Sequence, residues 1–281
     1  MEYVNTPIYA GQTGTSLCNA AGACLPYGSF STLEEELSIL ENEFSVEVAD
    51  TRETLEEAYR VRYEAYCVER QYESSDTGLE VDEFDHRSYH VILRHRPTAQ
   101  AVGTVRLVPS RAETGGHDLP IGRFCAPGLL DHLPRRTTAE ISRFTVSKRL
   151  RGTAGHSTLL TRIGLMRGIM QVSHAYGLTH WCAVMERPLL RLLGRTGIHF
   201  HPMGPVVEHR GLRQPAYGSI GRILARAYRE DPAVWDFATL GGRLAHSAES
   251  ALPRHSPRPP QNHRRPHGQD MMLLPRRPAR G

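Results

Sequence analysis

The stretch AEISRFTVSKRLRG, residues 139–152, contains the transition that decides the fold of this chain. Its first half, EISRFTV, is rich in apolar and β-branched residues and predicts a strand. A basic turn with a glycine, SKRLRGTAGHS, follows, and the run STLLTRIGLMRGIMQVSHAYG predicts a long helix that ends at Gly177. The apolar run HWCAVM comes next and predicts a second strand. This order predicts a β-α-β unit.

The turn between the first strand and the helix is suited to binding an anion. A helix N-terminus exposes unpaired amides and a partial positive charge, so a glycine-bearing turn there can hold phosphate. From Ile141 to Met185 the sequence contains no Asp or Glu. The same segment carries the cations Arg143, Lys148, Arg149, Arg151, Arg162 and Arg167. We therefore expect this segment to receive an anionic ligand.

Hydrophobic patterns outside this unit predict the remaining elements. FSVEVA predicts a short strand, and Asp50-Thr-Arg-Glu53 has the spacing of a capping box for a helix that continues to about Glu69. SYHVILRH and AVGTVRLVP predict a hairpin, PLLRLLGRTG a short helix and IHFHPMGPVV a strand. The whole predicts an α/β (α+β) fold, a mixed central sheet flanked by helices.

Composition divides the chain into three regions. Residues 1–43 are irregular except for a short helix, which Ser31-Thr-Leu-Glu34 and the spacing of Leu37 and Leu40 predict. Residues 44–240 form the predicted folded domain. Residues 241–281 are rich in Pro, Arg and His and are predicted to be a disordered tail.

The charge distribution disfavours a nucleic-acid-binding role. The formal net charge is +4, but the tail from His246 to Gly281 carries a net charge of +5, with seven Arg against Glu249 and Asp270. That leaves about −1 for the rest of the chain. A basic tail can touch RNA or anionic lipid, but a solvated appendage is the simpler interpretation.

Cysteine usage and the first residues favour a cytoplasmic protein. The five cysteines include no CxxC pair, which suits a reducing compartment and disfavours a disulfide framework or a zinc site. MEYVNTPIYAGQTG lacks a basic segment followed by an apolar run, so we expect neither secretion nor membrane insertion. His199-Phe-His201 has metal-like spacing, but no third ligand is apparent and no metal is expected.

Charged and aromatic residues upstream of the β-α-β unit form a second pattern. Three arginines and three acids from separate elements can form one balanced cluster at the mouth of the sheet, either as a site or as a structural ion-pair network. Two tyrosines on and after the first helix of the domain either line a pocket or belong to the core. The residues in chain order are Arg62, Tyr66, Tyr72, Asp82, Asp85, Arg106, Glu140 and Arg143.

Arg149-Leu-Arg-Gly152-Thr-Ala154 resembles the pyrophosphate loop of the GNAT acyltransferases, in which Gln or Arg is followed by Gly at the third position and by Gly or Ala at the fifth. The donors of that superfamily are pantetheine thioesters. The resemblance implies that the donor phosphopantetheine contacts Val146, Lys148, Arg149, Arg151, Gly152 and Ala154.

The order of the charged residues resembles the signature of acyl-homoserine-lactone synthases and N-acyl amino acid synthases. Both aromatics are Tyr here, where Phe and Trp are expected in the lactone synthases. A longer resemblance runs from about residue 44 to 240, to the acyltransferases associated with the PEP-CTERM/exosortase system. It is carried by VRYEAYCVERQYE, LEVDEFDHRSYHVILRHR, AVGTVRLV, AEISRFTVSK, GLTHWCAVMERPLLRLLGRTGIHFHPMGP and GLRQPAYGSI.

This resemblance implies a GNAT-like fold and an N-acyltransferase without a tightly bound cofactor. The donor would be acyl-ACP or acyl-CoA, with acyl carrier protein as a partner, and the acceptor a small-molecule amine such as an amino acid. Glu140 is the expected base and is assigned to catalysis together with Arg143. In a regular strand their side chains point to opposite faces, so a shared site requires the β-bulge that the resemblance implies.

Two other functions remain open: an acyl-homoserine-lactone synthase that uses S-adenosylmethionine, and a non-catalytic acyl-carrier-binding module. Other catalytic candidates are weaker. Cys67 and Cys182 are candidate nucleophiles, but a buried structural thiol is the simpler interpretation of Cys182 in its apolar strand. Tyr217 is a candidate proton donor to the leaving thiolate.

Overall fold

The computed structural model describes residues 33–111, 116–148 and 158–245. Its helices and strands are, in chain order, α1 Leu33–Glu43, β1 Phe44–Ala49, α2 Arg52–Tyr63, β2 Tyr89–His95, β3 Gln100–Pro109, β4 Thr138–Val146, α3 Thr158–Ala175, β5 His180–Met185, α4 Arg187–Gly194, β6 His201–Pro202, β7 Val207–Glu208, β8 Leu212–Ser219, α5 Ile220–Glu230 and α6 Pro232–Thr239. A π-helical turn, Glu64–Glu69, continues α2.

The strands form one mixed sheet, as predicted. Its order is β1-β2-β3-β4-β5-β8-β6, and β7 pairs with β8 at its far end. The β2–β3 hairpin is antiparallel, and so is the pairing of β3 with β4. Strands β4 and β5 are parallel, because the chain returns through α3 between them. The β-α-β unit predicted from the sequence therefore lies at the centre of the sheet.

Helix α3 covers one face of the sheet. Its buried Ile163, Leu165 and Ile169 belong to the main core, to which α1 adds Leu37 and Leu40. Glycines let this helix lie close to the strands, since a Cβ on Gly168 would overlap Val91 and Val46. Gly177, which has a positive φ of 61°, follows the helix as its predicted terminator.

The opposite face has two coverings. Helix α2 packs Leu55, Ala58 and Tyr59 against Ile92 of β2. The chain between β3 and β4 covers β3 to β5 with a second cluster, which contains Phe84, Val108, Leu119, Ile121, Leu130, Leu133, Cys182 and Met203. The gap between these two coverings leaves room for a polar site.

The start and end of α2 differ from the prediction. The N-cap is Thr51, whose hydroxyl accepts a hydrogen bond from the Thr54 amide, and Thr54 closes the capping box in return. The box therefore lies one residue later than Asp50 and Glu53. The α-helix ends at Tyr63 and continues only as the π-helical turn, a feature that periodicity does not reveal.

The last strand was also predicted in the wrong place. Of residues 198–207, only His201–Pro202 and the first residue of β7 are in strands. The long strand here is β8, which pairs with the whole of β5 through its residues Gln214 to Ser219. Pro215 and Gly218 within β8 disguise it, because both residues are depleted in strand interiors.

The predicted short helix before residue 44 is present as α1, and it packs into the core of the main domain rather than apart from it. Residues 1–32 and 246–281, which include nearly all of the predicted tail, lie outside the described residues. Among the described helices, none combines the length and the apolar composition needed to cross a bilayer.

Substituting Gly168 with Ala should lower the free energy of unfolding by about 1–3 kcal/mol, because the new methyl group forces α3 away from Val91 and Val46. Gly221→Ala in α5 is the matched control, since a Cβ there meets nothing within 4 Å. A helical Gly→Ala change in open space stabilises by up to about 1 kcal/mol. Urea unfolding of both variants measures the difference, and equal midpoints would contradict the close packing.

Candidate active site

A β-bulge interrupts strand β4 at Arg143. Arg106 of β3 pairs with Ser142, but Thr104 pairs with Thr145, so two residues of β4 lie opposite one residue of β3. Arg143 has a positive φ of 53°, which is uncommon for a residue other than glycine. The bulge that the resemblance implies is therefore present, but it begins at Arg143 rather than between Glu140 and Arg143.

Strands β4 and β5 separate just before this bulge. Their parallel pairing includes Thr138, Ala139 and Glu140 and ends where Glu140 meets Cys182. The separated ends enclose a cavity of about 90 Å³, which we call the strand cleft. Its lining includes apolar side chains of Ile141, Phe144, Met166, Val184, Met185, Leu189, Leu193 and Phe200 and the polar side chains of Arg70, Arg143, Arg162, Glu186 and Arg213.

A second cavity of about 400 Å³, the polar cavity, lies beside the bulge on the face of α2. Its charged lining residues are Glu73, Glu80, Asp82, Glu83, Arg106, Arg123, Arg143 and Arg210. Arg143 lines both cavities. The bulge therefore places one cation at the junction of an apolar cleft and a polar cavity.

The predicted charged residues meet in a buried ion-pair network. Arg62 and Arg106 are fully buried. Arg62 donates to both oxygens of Asp85 at 2.7 and 2.9 Å. Arg106 donates through Nη1 to Asp82 at 2.5 Å and to Asp85 at 2.7 Å, and Arg143 donates to Asp82 at 2.9 Å. Burial opposes ionisation of Asp85, but the arginines outweigh it and hold its pKa well below the usual range.

The sequence analysis missed one member of this network, Glu80. Its carboxylate accepts hydrogen bonds from Arg62 at 2.5 Å and from Arg143 at 2.8 to 3.1 Å. The spacing Glu80-x-Asp82 was a signal, because alternate residues of an extended segment lie on one face. We call Arg62, Glu80, Asp82, Asp85, Arg106 and Arg143 the charged cluster.

Glu140 lies next to the charged cluster but makes no ion pair there, contrary to the prediction of one balanced set. It is only 3% exposed, and its Oε2 accepts a 2.6 Å hydrogen bond from the amide of Ile121. Burial raises the pKa of Glu140 to about 7, and the Ile121 amide, Arg106 and Arg143 offset that effect in part. A carboxyl with this pKa can both take and return a proton near neutral pH.

The two predicted tyrosines differ in position. Tyr66 is buried, lines the strand cleft and lies under the guanidinium groups of Arg143 and Arg210, 5.5 and 5.6 Å from its ring centre. Tyr72 is 38% exposed, contacts Arg70 at 5.8 Å and lines neither cavity. Tyr72 is therefore not part of the charged cluster, because the chain turns outward after the π-helical turn.

The predicted donor turn is only partly described. Val146 ends β4 and pairs with Gly103. The amide of Lys148 donates to Glu69 at 3.2 Å, and its ammonium lies 3.6 Å from the same carboxylate. Arg149, Arg151, Gly152 and Ala154 lie outside the described residues.

The remaining candidates take no direct part in the cluster. Burial raises the pKa of both Cys67 and Cys182, which keeps them as thiols and disfavours a nucleophilic role. Tyr217 pairs with Cys182 across β5 and β8, and its ring lies 5.0 Å from that of His132. His199 binds Glu230 at 2.7 Å, and no group of metal-ligating side chains occurs among the described residues.

Asp85→Asn should lower the free energy of unfolding by about 3–5 kcal/mol at pH 7, because it removes the acid that Arg62 and Arg106 share and leaves the buried cluster with one positive charge in excess. A carboxylate whose folded pKa is depressed stabilises above its unfolded pKa and loses that contribution as pH falls. The difference from wild type should therefore shrink below about pH 4. Urea unfolding across pH measures it. Asp131→Asn, which removes an exposed partner of Arg135 at 3.9 Å, should change stability by less than about 0.5 kcal/mol.

Residues 61–161, which contain the whole charged cluster and Glu140, match the family model of the acetyltransferase (GNAT) domain. A search of curated proteins found no match.

Similar solved structures include TofI in a ternary complex with an inhibitor and MTA (21% identity, 68% of this chain and 99% of that chain, TM-score 0.49). They also include BjaI, a CoA-dependent acyl-homoserine lactone synthase with SAM and isopentyl-CoA (18%, 78% and 96%, TM-score 0.47). FeeM, an N-acyl amino acid synthase from uncultured soil microbes, is a third (14%, 65% and 93%, TM-score 0.49). Residues 61–161 of this chain are therefore similar to an acetyltransferase (GNAT) domain, and they include strands β2 to β4 of the mixed sheet.

Proposed function

We propose that the protein is an N-acyltransferase that moves a long-chain acyl group from a thioester donor to the amine of a small acceptor. The observation that carries the proposal is the position of Glu140. This buried acid, outside the ion pairs, lies at the last pair of β4 with β5, three residues before Arg143, which lines both the strand cleft and the polar cavity. A base beside that junction can serve a donor on one side and an acceptor on the other.

The strand cleft suits the donor. Its apolar lining accepts an acyl chain and a pantetheine arm, and its arginines attract an anionic carrier. Beyond Glu140, β4 no longer pairs with β5, so its backbone amides on that side are free to bind the thioester oxygen as charge develops there. The donor phosphates are assigned to the turn from Arg149 to Ala154, as the sequence resemblance implies.

The polar cavity suits the acceptor. Its lining carries four carboxylates and four guanidinium groups, so a zwitterion such as an amino acid finds partners for both its ends. Arg143 and Asp82 both line this cavity and form a 2.9 Å hydrogen bond at the bulge. The cavity therefore reaches the bulge, where the thioester carbonyl would lie. This arrangement supports an amino acid or a related metabolite as acceptor.

The reaction is direct aminolysis. Glu140 lines neither cavity, so it takes the proton of the acceptor ammonium through a water molecule. The free amine attacks the carbonyl carbon, the carbon–sulfur bond breaks, and the thiolate leaves with a proton from the new amide nitrogen. The products are an N-acyl amide and a free thiol, and one proton is released.

Glu140→Gln should lower kcat by about 10²–10⁴-fold, because the variant cannot take the ammonium proton. For the wild type, kcat/KM should rise with pH through about 7, since Glu140 must be ionised to act. The assay combines the purified protein with a long-chain acyl thioester of acyl carrier protein or of CoA, a pool of amino acids and S-adenosylmethionine. Mass spectrometry detects the products.

The outcomes separate the three functions. An N-acyl amino acid supports the proposal and identifies the acceptor. An acyl-homoserine lactone made only with S-adenosylmethionine would replace it with the autoinducer synthase. Binding of acylated carrier without any product would favour a non-catalytic module.

A link to the PEP-CTERM/exosortase system rests on the sequence resemblance over residues 44–240. An N-acyl product that accumulates only in cells that carry that system's genes would support it.

Helix α4 favours a carrier protein over free CoA as donor. Leu189 and Leu193 of this helix line the strand cleft. Arg187, Arg191 and Arg195, four residues apart, are exposed along one side of it. Salt bridges among the described residues include none of these three arginines. A row of exposed cations beside the cleft would steer an acidic carrier protein towards it.

The double variant Arg187→Glu, Arg191→Glu should raise KM for the acylated carrier protein at least about tenfold at low salt, with little change for acyl-CoA. Reversing the same number of exposed arginines on α5, Arg222→Glu with Arg229→Glu, is the matched control and should leave both values near wild type. Equal effects on both donors would contradict a carrier-protein surface on α4.

A further inference from the structure

Glu80 is held more tightly than a surface loop residue would be. It is 5% exposed, and its backbone amide donates to Tyr59 of α2 at 3.2 Å. Its Oε2 accepts from Nε of Arg62 at 2.5 Å, and both its oxygens accept from Arg143. One carboxylate therefore ties a fully buried arginine of α2 to the bulge of β4.

The backbone conformation at the bulge requires side-chain contacts that hold it. A left-handed conformation at a residue other than glycine is strained and persists only when its surroundings hold it. Arg143 is held by Glu80, by Asp82 at 2.9 Å and by the ring of Tyr66 beneath it. Of these partners, Glu80 makes the bidentate contact, which fixes direction as well as distance.

Glu80 also completes the charge balance of the charged cluster. With it, the arginines Arg62, Arg106 and Arg143 meet the acids Glu80, Asp82 and Asp85, three against three. His90 lies 3.6 Å from Asp85, but burial lowers its pKa to about 3, so it adds no charge at neutral pH. The cluster is neutral without Glu140.

We propose that Glu80 is a positioning residue: it holds Arg143 in the bulge and neutralises the charged cluster, so that Glu140 is left as the uncompensated acid of the site. The kinetic consequence rests on the proposed function, whereas the structural consequence does not. Without the charge of Glu80, the cluster would carry +1 beside Glu140, and ionised Glu140 would become its counter-charge.

Several groups face Glu140 besides this cluster. Arg106 of β3, Arg143 of β4 and Asp82 all act on its charge, and Arg87 interacts with it from the segment before β2. The thiols of Cys125 and Cys182 lie near it and stay protonated, because burial raises the pKa of each. A change at Glu80 alters the net charge of this set without touching Glu140 directly.

The test titrates Glu140 in the ligand-free full-length protein. With ¹³C-carboxyl-labelled glutamate, NMR follows each glutamate across pH, and the signal that Glu140→Gln removes is that of Glu140. In Glu80→Gln, the Glu140 titration should move to lower pH by about one unit, because a nearby uncompensated cation favours the carboxylate. If Glu140 is the base, the acid limb of kcat/KM moves with it.

Two variants separate charge from structure. Glu80→Asp keeps the charge but shortens the side chain, so Glu140 should titrate as in wild type while kcat falls as Arg143 is displaced. Glu47→Gln is the matched control, since Glu47 holds Arg94 through both its oxygens at 3.0 to 3.2 Å on β1 and β2, away from the site. It should change neither the titration nor the rate.

The outcomes distinguish the positioning role of Glu80 from the catalytic role of Glu140. An unchanged Glu140 titration in a folded Glu80→Gln protein would overturn the role of Glu80. A shifted titration with an unmoved pH–rate profile would support the role of Glu80 and remove Glu140 as the base. If Glu80→Gln does not fold, the test is Glu80→Asp, which keeps the charge. A Glu140 titration in that variant that moves away from the wild-type midpoint would also overturn the proposal.

Discussion

The β-bulge at Arg143 is the feature on which the site depends. By placing two residues of β4 opposite one of β3, it aims Arg143 at the charged residues on the face of α2. It lies three residues after Glu140, the point at which β4 and β5 stop pairing. The separation of these strands creates the strand cleft, and the bulge joins that cleft to the polar cavity. A regular strand would provide neither the opening nor the junction.

Burying so many charges is costly, and the cluster bears this cost only because each charge has a partner. Arg62, Arg106 and Arg143 are matched by Glu80, Asp82 and Asp85, so the network is neutral and its acids stay ionised. That neutrality explains the different behaviour of Glu140. Because the nearby arginines are already engaged, burial dominates its environment and its pKa rises towards 7. Structural ion pairs and a reactive carboxyl thus exist side by side. They differ because the arginines bind Glu80, Asp82 and Asp85 but not Glu140.

Local patterns in the sequence were enough to predict much of the architecture. The alternation in FSVEVA, the hairpin around Arg96, the apolar run HWCAVM and the helix ended by Gly177 all produced the predicted elements. The errors arose where a local rule met a tertiary exception. Strand β8 contains Pro215 and Gly218 and is held by its pairing with β5, and the π-helical turn after Tyr63 has no periodic signature. Glu80 was missed because its spacing to Asp82 is a weak signal in an irregular segment, where solvated acids show the same pattern.

The sequence by itself determined the β-α-β unit, the acid-free segment from Ile141 to Met185 and which charged residues the domain offers, because these follow from composition and local periodicity. Only the tertiary structure decided how those charges are divided. It paired Arg143 with Glu80, turned Tyr72 out to solvent and buried Glu140 against the Ile121 amide rather than within an ion pair. The physical reason is that ion pairing and desolvation depend on distances between residues far apart in the chain, which no local pattern specifies.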